Sequence, residues 1–584
     1  MTIAGASAPA FVTGSEGGDI VPAVTEGHRR PSWVALTIHV LALVGGFVLL
    51  VYCNRDQWFF GDEWDFLAHR GVSGADRSLW EPHTEHWSTG PILIYRALFA
   101  RWGLHTYVPY VVVLVLLHLA VAHLLWRLLL QAGVDQTVAT ALAAVFTVMG
   151  AGYENLLWAF QIGFIGSVAL GMAALLLVNH DGRWGARDIA GWVVSIVGLM
   201  FSGISVTMVS VAGLAVFMRR GWRQAALTVS VPGTVYLTWF FLTGNKNVGD
   251  DEGTLEDVLK YPEYIWNGLR TAVEATVGFP GAGAVIVLGL AAYLLRRGGR
   301  SKGPAAPAFA CALGALMLYT IIATGRAGMG VETSGASRYT YLVMALAVPA
   351  IALAMADLVD SEGLAGAGRR AVVCLLLLFV GVHNAGTLVE KSREEKRLEQ
   401  RLKARILAAA QLVNSPAVIL GGNPEPQYSP DIVIDDLRRM HRDGKLPEPG
   451  RITRDDRLTV ATTLQYAVNP TPLSTPFSPA LVDGVVGGDG DYDTAAGCIR
   501  LFPTGPIVEL HLVGGEPMSL RVTTLASGEL VGYLRLFTPT VLTGAAHVDK
   551  VRAGNPVYVN VTATVDQVVL RVPSSGSTEV CGIR

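Results

Sequence analysis

Charged residues are scarce in this chain. Only 16% of its 584 residues are Asp, Glu, Lys or Arg, while 51% are hydrophobic and the mean hydropathy is +0.42. An average soluble domain carries about 25% charged residues. The formal net charge is only −2, and a nucleic-acid-binding protein would show a basic stripe or patch, so no nucleic-acid partner is expected. The few charges fall in short runs between apolar blocks, which indicates a membrane protein.

Cysteine is also sparse, and its spacing is not that of a metal site. Of five cysteines, Cys311 and Cys374 fall in apolar runs, where thiols are usually inert core residues. Cys53 ends the first apolar run. Cys498 and Cys581 bracket the C-terminal part of the chain, and we predict a disulfide between them if that part lies outside the cell.

A cleavable signal peptide and internal repeats are not evident either. His28, Arg29 and Arg30 come directly before the first apolar run, whereas a secretory signal has its charge nearer the terminus and a cleavage site after the apolar core. We interpret residues 1–30, rich in Gly, Ala, Ser and Thr, as a disordered cytoplasmic tail. The first apolar run is then a retained span.

Eleven apolar runs are candidates for membrane-spanning helices, because about 20 apolar residues cross the hydrocarbon core. Three of them are short, so the count could be off by one or two. Two of the short ones meet at Ser202 and Gly203 and could form a single broken hairpin. The runs cover roughly residues 33–52, 107–130, 137–150, 160–178, 188–202, 204–218, 224–243, 270–295, 306–324, 338–356 and 371–388.

The Lys and Arg residues of the short loops predict the orientation. All of them fall on one side if the N-terminus is cytoplasmic, and an odd number of spans then places everything after about residue 389 outside. This predicts a multi-pass protein of the cell membrane with an extracytoplasmic C-terminal domain. The residues concerned are Arg29, Arg30, Arg183, Arg187, Arg219, Arg220, Arg223, Arg296, Arg297, Arg300, Lys302, Arg369 and Arg370.

The chain after the last span changes character twice. Residues 389–413 are charged with helical apolar spacing, which predicts a surface helix leading away from the membrane. From about residue 480, short segments alternate apolar and polar residues between turns, which predicts a β-sandwich or jelly roll. The predicted organisation is a tail (1–30), a transmembrane domain (31–388), an extracytoplasmic helical linker (389–479) and a β-rich domain (480–584).

The first predicted outside loop concentrates acidic and histidine residues. One carboxylate of such a group could act as a general base on an acceptor hydroxyl, because neighbouring carboxylates raise its pKa. The histidines could orient an acceptor or complete a divalent metal site, although the spacing fixes no ligand geometry. The alternative is an interfacial loop with an aromatic belt and solvated acids. The candidates are Asp62, Glu63, Asp65, His83, Glu85 and His86.

Two further clusters adjoin predicted outer ends of spans. Glu154, Trp158 and Gln161 share a face if the segment is helical, and they could bind an acceptor or form a polar clamp between helices. Arg326 and Arg338 flank a Gly-rich loop on the side that is poor in positive charge. Guanidinium groups suit phosphate oxygens; the alternative is a salt bridge to Glu332 with snorkelling to lipid headgroups.

Together these clusters resemble the GT-C superfamily of membrane glycosyltransferases, which have many spans and a carboxylate pair in the first outside loop. Phe60, Gly61, Asp62 and Glu63 are similar to the family's acidic motif, which implies Asp62 or Glu63 as the catalytic base. Arg326 and the triplet Ser337, Arg338 and Tyr339 resemble the positions that hold the donor's phosphate. The resemblance implies a polyprenyl-phosphate sugar as donor and an inverting transfer in one displacement.

The resemblance covers roughly residues 33–388 as architecture. The C-terminal domain resembles, in texture, the carbohydrate-binding modules of actinobacterial cell-wall arabinosyltransferases. The resemblance implies a hexosyl- or pentosyltransferase of cell-wall biogenesis that uses a cell-envelope glycan or glycolipid acceptor at the membrane. Asp65 and the pair His83 and His86 depart from the family pattern, which leaves the identity of the base open.

Two other functions compete with this interpretation. A lipid-linked glycan polymerase or ligase is also polytopic, but it normally lacks the acidic first loop and a large C-terminal β-domain. A transporter or flippase tends to show two comparable halves and charged sites near the middle of the membrane. Here the candidate residues gather at the ends of the apolar runs, and the halves show no similarity. A purely structural or receptor role leaves the charged clusters without a purpose.

Overall fold

The computed structural model describes residues 31–247, 255–360, 363–413, 422–472, 478–535, 546–562 and 565–584. The predicted tail, residues 1–30, lies outside the described residues. The helices are α1 (Trp33–Asn54), α2 (Glu63–Ala68), α3 (Thr89–Trp102), α4 (Val108–Gln131), α5 (Gln136–Phe146), α6 (Tyr153–Leu157), α7 (Ile162–Val178), α8 (Ala186–Leu199), α9 (Ile204–Arg220), α10 (Trp222–Leu242), α11 (Leu255–Val277), α12 (Ala282–Arg296), α13 (Ala306–Arg326), α14 (Ser337–Val359), α15 (Gly363–Leu412), α16 (Ile434–Arg442) and α17 (Arg454–Gln465).

The helices form a bundle with the composition of a polytopic membrane domain, as predicted. Within the described ranges, eight helical segments are long and apolar enough to cross a membrane, or nine if one bent pair counts as a span. The number is lower than eleven mainly because α8 and α9 have only 14 and 17 residues. They are separate helices joined by residues 200–203, so they pack as a short hairpin within the bundle.

The predicted single span over residues 270–295 is wrong. The segment is broken into α11 and α12, which meet at an angle of 112°. Gly278 and Gly281 flank the break, and both have a φ of +80°, a conformation that glycine adopts without the usual steric penalty. Pro280 between them cannot continue a helix. α11 begins well before residue 270 and packs against residues 327–335, where Asn267 Nδ2 donates to Ser334 Oγ at 2.9 Å.

The basic loops meet at one end of the bundle, which we call the arginine end. Their arginines pair with carboxylates from other loops and so connect the segments after α4, α7, α9, α12 and α14. This grouping agrees with the distribution of basic residues in the sequence, while the cytoplasmic position of this end stays a prediction. The pairs are Arg219 with Asp181, Arg220 with Asp188, Arg297 with Asp357 and Arg370 with Asp135.

The opposite end, which we call the loop end, gathers residues 55–88, 150–161 and 327–336. It also includes part of α15, a helix of 50 residues that continues from the last apolar run into the charged segment. The predicted helix over residues 389–413 is part of α15, and one of its faces packs on the first loop. Ser392 Oγ donates to Cys53 O at 2.6 Å, and Glu399 Oε2 accepts from Trp58 N at 2.7 Å.

The C-terminal domain is a β-sandwich of two antiparallel sheets, as predicted. Strand order is β1-β9-β6-β11-β4-β3 in one sheet and β2-β5-β10-β7-β8 in the other. Apolar side chains from both sheets, such as Leu520 and Leu570, form the core between them. The strands are β1 (Tyr466–Asn469), β2 (Val482–Val486), β3 (Gly488–Asp493), β4 (Cys498–Pro503), β5 (Val508–Val513), β6 (Met518–Thr524), β7 (Gly528–Arg535), β8 (Ala546–Val551), β9 (Val557–Val561), β10 (Gln567–Val572) and β11 (Thr578–Cys581).

Two details of this domain concern its limits. The sheet includes β1, which precedes residue 480, the predicted start of the domain. The four residues of β1 are too few to show an alternating pattern.

Cys498 and Cys581 lie directly opposite each other on neighbouring strands and form a disulfide. The bond closes a loop of 83 residues, for which the chain-entropy model gives up to roughly 4 kcal/mol of stabilisation.

Candidate functional site

The first loop is a folded layer rather than an aromatic belt with solvated acids. Trp58, Phe59 and Trp64 are almost fully buried, and their rings pack edge to face on one another and on Tyr107 and Tyr110. These contacts fix the short helix α2, which begins directly after Asp62. The three acids of the motif therefore have separate and well-defined environments.

Asp65 is the centre of a buried ion network. Its carboxylate accepts hydrogen bonds from Arg70 Nε at 2.8 Å, from His83 Nδ1 at 2.8 Å and from the Arg77 guanidinium. Burial opposes ionisation of Asp65, but the His83 hydrogen bond and the charges of Arg70, His83 and Arg77 outweigh it and hold its pKa at about 2. Asp65 is completely buried and touches no solvent, so it supports the site through its partners.

Glu63 is buried among hydroxyl and amide donors. Its Oε1 accepts from Tyr95 Oη at 2.5 Å and from Tyr107 Oη at 3.1 Å, and its Oε2 accepts from Phe60 N at 3.1 Å. Burial raises the pKa of Glu63 to about 8, although these donors act in the opposite direction. Because Glu63 has no exposed surface, it is poorly placed to meet an acceptor hydroxyl in this conformation.

Asp62 is the accessible acid of the motif. Its side chain is 48% exposed, and His83 Nε2 lies 3.9 Å from its Oδ2. The preceding Gly61 has a φ of +60° and packs on Trp158, where a Cβ would lie 3.1 Å from the indole ring. The turn thus holds the Asp62 backbone against an aromatic wall while its carboxylate faces open space.

His83 connects Asp62 with the ion network. Its Nδ1–H donates to the ionised Asp65 carboxylate, and Nε2 is buried without a hydrogen-bond partner among the described residues. Burial lowers the pKa of His83, but the nearby carboxylates of Asp62 and Asp65 outweigh this effect and raise the pKa to about 9. A protonated His83 would place a positive charge beside the Asp62 carboxylate.

His86 and Glu85 complete the tight turn that follows His83. His83 and His86 exchange two backbone hydrogen bonds, of 2.9 and 2.8 Å, across this turn. His86 Nε2 lies 3.7 Å from Glu85 Oε1. Burial of His86 lowers its pKa, and the charge of Glu85 opposes this effect.

The acids and histidines of the first loop do not form a metal site. Within the described residues, the group of three close ligand atoms is Cys498, Glu579 and Cys581, and both of these cysteines are consumed by the disulfide. Among the described residues of the first loop, the acids and histidines do not bring three ligand atoms this close together.

The second cluster is not a single helical face. α6 ends at Leu157, and Trp158 has an extended backbone, so the predicted shared face of Glu154, Trp158 and Gln161 is wrong. A short 3₁₀ turn follows. Gln161 Oε1 accepts from Asn155 Nδ2 at 3.3 Å in a buried contact, which matches the polar clamp. Glu154 turns the other way, towards Arg338.

The Gly-rich loop between Arg326 and Arg338, which we call the arginine loop, belongs to the loop end and contacts both other clusters. Arg338 Nη1 lies 3.4 Å from Glu154 Oε2, and its guanidinium stacks on Tyr339 at 5.2 Å. Arg326 ends α13 at a position from which its charge influences Glu85 and His86. Among the described residues, neither arginine forms a salt bridge with Glu332. The tertiary structure thus replaces the anticipated local ion pair with a contact between distant segments.

Several residues of the site were missed from the sequence. Glu395 and Glu399 of α15 face the first loop, and Tyr95 and Tyr107 hold Glu63. A signal for Glu399 was present, because positions 384, 388, 392, 395 and 399 follow helical spacing and four of these five residues are polar. The tyrosines gave no such signal, since their role depends on a fold that brings α3 and α4 to α2.

Two cavities adjoin the first loop. The smaller has a volume of about 170 Å³ and lies between the first loop, α6 and α15. The larger, of about 450 Å³, lies between the first loop and the end of α10. Trp87 and Trp239 stack at 4.9 Å along its wall. The lining of the larger cavity is Trp80, Trp87, Thr234, Val235, Thr238, Trp239, Leu242 and Thr243.

The fold and the site define a polytopic membrane protein with a C-terminal β-sandwich and a charged cluster at one end of its bundle. No protein-family model matches the chain, and no curated protein does. Among solved structures, it is similar to the crystal structure of ArnT from Cupriavidus metallidurans bound to undecaprenyl phosphate. The two share 12% sequence identity with a TM-score of 0.41 over 74% of this chain and 88% of that chain. A similarity at this level does not establish a shared function.

Proposed function

We propose that this protein is a glycosyltransferase that moves a sugar from a polyprenyl-phosphate donor to a cell-envelope glycan or lipid acceptor on the outer face of the membrane. The observation that carries the proposal is the position of Asp62. It is an exposed carboxylate between a buried His83–Asp65 pair and the arginine loop, at the end of a membrane bundle. The acidic motif that resembles the GT-C pattern supports the same function.

In this proposal Asp62 is the general base. The acceptor oxygen attacks the anomeric carbon of the donor, the bond from that carbon to the phosphate oxygen breaks, and polyprenyl phosphate leaves with the bonding electrons. Asp62 takes the proton of the acceptor hydroxyl. The attack from the face opposite the phosphate inverts the configuration. A positioned general base typically contributes about 10² to 10⁴ in rate.

His83 and Asp65 position this base. Asp65 is fixed by two arginines and in turn orients the imidazole through Nδ1, which leaves Nε2 directed towards Asp62. A protonated His83 places a positive charge next to the Asp62 carboxylate. We assign Glu63 a structural role in the folding of α2, because its carboxyl group is enclosed by Tyr95 and Tyr107.

Arg326 and Arg338 are proposed to bind the donor phosphate. Arg338 is 38% exposed and uses Nη1 for Glu154, so other guanidinium N–H groups remain available for phosphate oxygens. The larger, tryptophan-lined cavity supports a lipid donor, because an isoprenoid chain needs an apolar surface. The charge of Glu85 acts on the Tyr236 hydroxyl of α10, and the charge of Arg326 acts on Glu85. The larger cavity therefore lies close to the first loop and to Arg326.

The test is a transfer assay with the full chain in lipid nanodiscs. Labelled polyprenyl-phosphate pentoses and hexoses are offered as donors, and cell-envelope glycan fragments as acceptors. We expect one donor to yield a glycosidic product of inverted configuration, and Asp62→Asn to abolish it. Transfer that is unchanged in Asp62→Asn would reject the assigned base. Movement of the intact donor lipid across the bilayer without any glycosidic product would favour a flippase instead.

A further inference from the structure

The geometry points to the smaller cavity as a binding site for one uncharged sugar ring, the terminal residue of the acceptor glycan. The assignment to the acceptor rests on the proposed function, whereas the binding of a neutral sugar does not. The cavity is lined by Phe60, Tyr153, Glu154, Leu157, Trp158, Arg338, Glu395 and Glu399. Two of these, Glu395 and Glu399, come from α15, a segment that the sequence alone assigned to the surface.

The size of the cavity limits its ligand. A volume of about 170 Å³ is below the ~300–1,000 Å³ that is usual for drug-sized ligands, and it suits a single ring rather than a longer chain or a lipid. Phe60 and Trp158 line one side of the cavity and stack on each other, with ring centroids 4.9 Å apart and planes within 26° of parallel. Aromatic side chains of this kind can contact the apolar C–H face of a sugar ring.

A buried polar atom without a partner points into the same space. Glu399 is 1% exposed; its Oε2 accepts from Trp58 N at 2.7 Å, but its Oε1 has no hydrogen-bond partner among the described residues. An unsatisfied buried carboxyl oxygen destabilises the folded protein, because it has lost its hydrogen bonds to water. A ligand hydroxyl in the cavity would satisfy this oxygen, and burial also raises the pKa of Glu399 well above its usual range.

The charge of the lining excludes anionic ligands. It contains the three carboxyl groups of Glu154, Glu395 and Glu399 and a single guanidinium, Arg338, which already pairs with Glu154. A phosphate or a uronic acid would find only one cation in this lining, the already paired Arg338, while the hydroxyls of a neutral sugar could donate to the carboxyl oxygens. The same reasoning separates this cavity from the proposed phosphate site on the outer side of Arg338.

The position of the cavity fits an acceptor. Phe60 lines it, and Asp62 follows two residues later, beyond Gly61, which packs on Trp158. The charge of Asp62 also acts on Arg338, another lining residue. A ring stacked on Phe60 and Trp158 would therefore place a hydroxyl near the proposed base, whereas the larger cavity lies on the side of Glu85 and α10.

The test measures binding of neutral methyl glycosides to the full chain in nanodiscs by saturation-transfer NMR, without any donor. We expect saturable binding of at least one methyl pentoside or hexoside, and about a tenfold or greater loss of affinity in Glu399→Gln and Trp158→Ala. Glu395→Gln, which changes a partly exposed side chain, is a second variant with little risk to folding. Glu394→Gln is the matched control, because Glu394 lies on the exposed side of the same helix.

The outcomes separate this proposal from the function proposed above. Equal binding by the wild type, Glu399→Gln, Glu395→Gln and Trp158→Ala would overturn the sugar site, and so would tighter binding of a methyl glucuronide than of the neutral glycosides. Neutral-sugar binding that depends on these residues in a protein without transfer activity would uphold the site and reject the glycosyltransferase. If Glu399→Gln, Glu395→Gln and Trp158→Ala all transferred sugar with an unchanged acceptor KM, the glycosyltransferase would be upheld and the sugar site rejected.

Discussion

Carboxyl groups are buried at both ends of the helical bundle, but they are neutralised in different ways. At the arginine end, the buried Asp188 forms a salt bridge of 2.7 Å with Arg220 Nη1, and His180 Nε2 lies 3.3 Å from its other carboxylate oxygen. At the loop end, Glu63 and Glu399 are buried just as deeply, yet among the described residues neither has a basic side chain within salt-bridge distance. Their pKa values are raised by burial, Glu63 to about 8 and Glu399 well above its usual range.

This difference separates structural ion pairs from candidate chemistry. A buried acid with a guanidinium partner is explained by the packing of loops alone, and removing one partner is costly. Buried acids with hydroxyl and amide donors, or with an oxygen that lacks a partner, are not explained in that way. Perturbed groups of this kind are enriched in functional sites. Asp65 is the instructive exception, since it belongs to the loop end but is paired like a residue of the arginine end.

The largest effect is expected at Asp62. Asp62→Asn should reduce transfer by a factor of about 10² to 10⁴, while the melting temperature stays close to that of the wild type because the side chain is half exposed. Glu63→Gln should retain more activity, since Glu63 is enclosed. Rates for the two variants and the double mutant would decide between the acids. A greater loss in Glu63→Gln than in Asp62→Asn would make Glu63 the base and imply that the loop opens.

Asp65→Asn should mainly destabilise the protein. The buried Arg70 would lose its carboxylate, and breaking a buried ion pair typically costs about 3–5 kcal/mol. Asp188→Asn is the matched variant at the arginine end and should cost a similar amount. Thermal unfolding in nanodiscs measures both. We expect residual folded Asp188→Asn protein to transfer sugar normally and folded Asp65→Asn protein to be impaired, because His83 loses its partner. Equal activity per folded molecule would show that the network has no part in catalysis.

Arg338→Ala should raise the donor KM by about 10- to 100-fold, the equivalent of one charge-assisted hydrogen bond of ~1.5–3 kcal/mol. Arg338→Lys should recover only part of this, because an ammonium group cannot form a bidentate contact. Arg297→Ala, which removes an exposed guanidinium from the arginine end, is the control and should change neither KM. A rise confined to the acceptor KM would assign Arg338 to the small cavity instead of the phosphate.

The last prediction concerns the pH dependence of stability. Glu63 has a pKa of about 8 in the folded protein and about 4.3 in an unfolded chain, so the folded state binds the proton more tightly. The free energy of unfolding should therefore fall as pH rises from about 5 to 8. Glu63→Gln lacks this proton, and its melting temperature should decline less over the same range. If the melting temperatures of the two proteins changed equally with pH over this range, that result would contradict a buried, protonated Glu63.

Much of the site could be anticipated from short motifs. Asp62, Glu63, His83, Glu154 and Arg338 were all identified from their types and spacing, and the structure brings them to one end of the bundle. Their separate roles were beyond the sequence, because adjacent residues such as Asp62 and Glu63 are chemically alike. Only packing decides that one carboxylate is enclosed by tyrosines while the next is half exposed.

The sequence by itself determined the membrane class, the common end of the basic loops and the β-sandwich. These features depend on hydropathy, charge and alternation among residues that are close together in the sequence. The tertiary structure alone decided that α11 and α12 are broken apart, that α15 buries Glu399 against the first loop, and that Arg338 pairs with Glu154. The physical reason is that burial, pKa and ion pairing depend on what lies across a contact, and these partners are far apart in sequence.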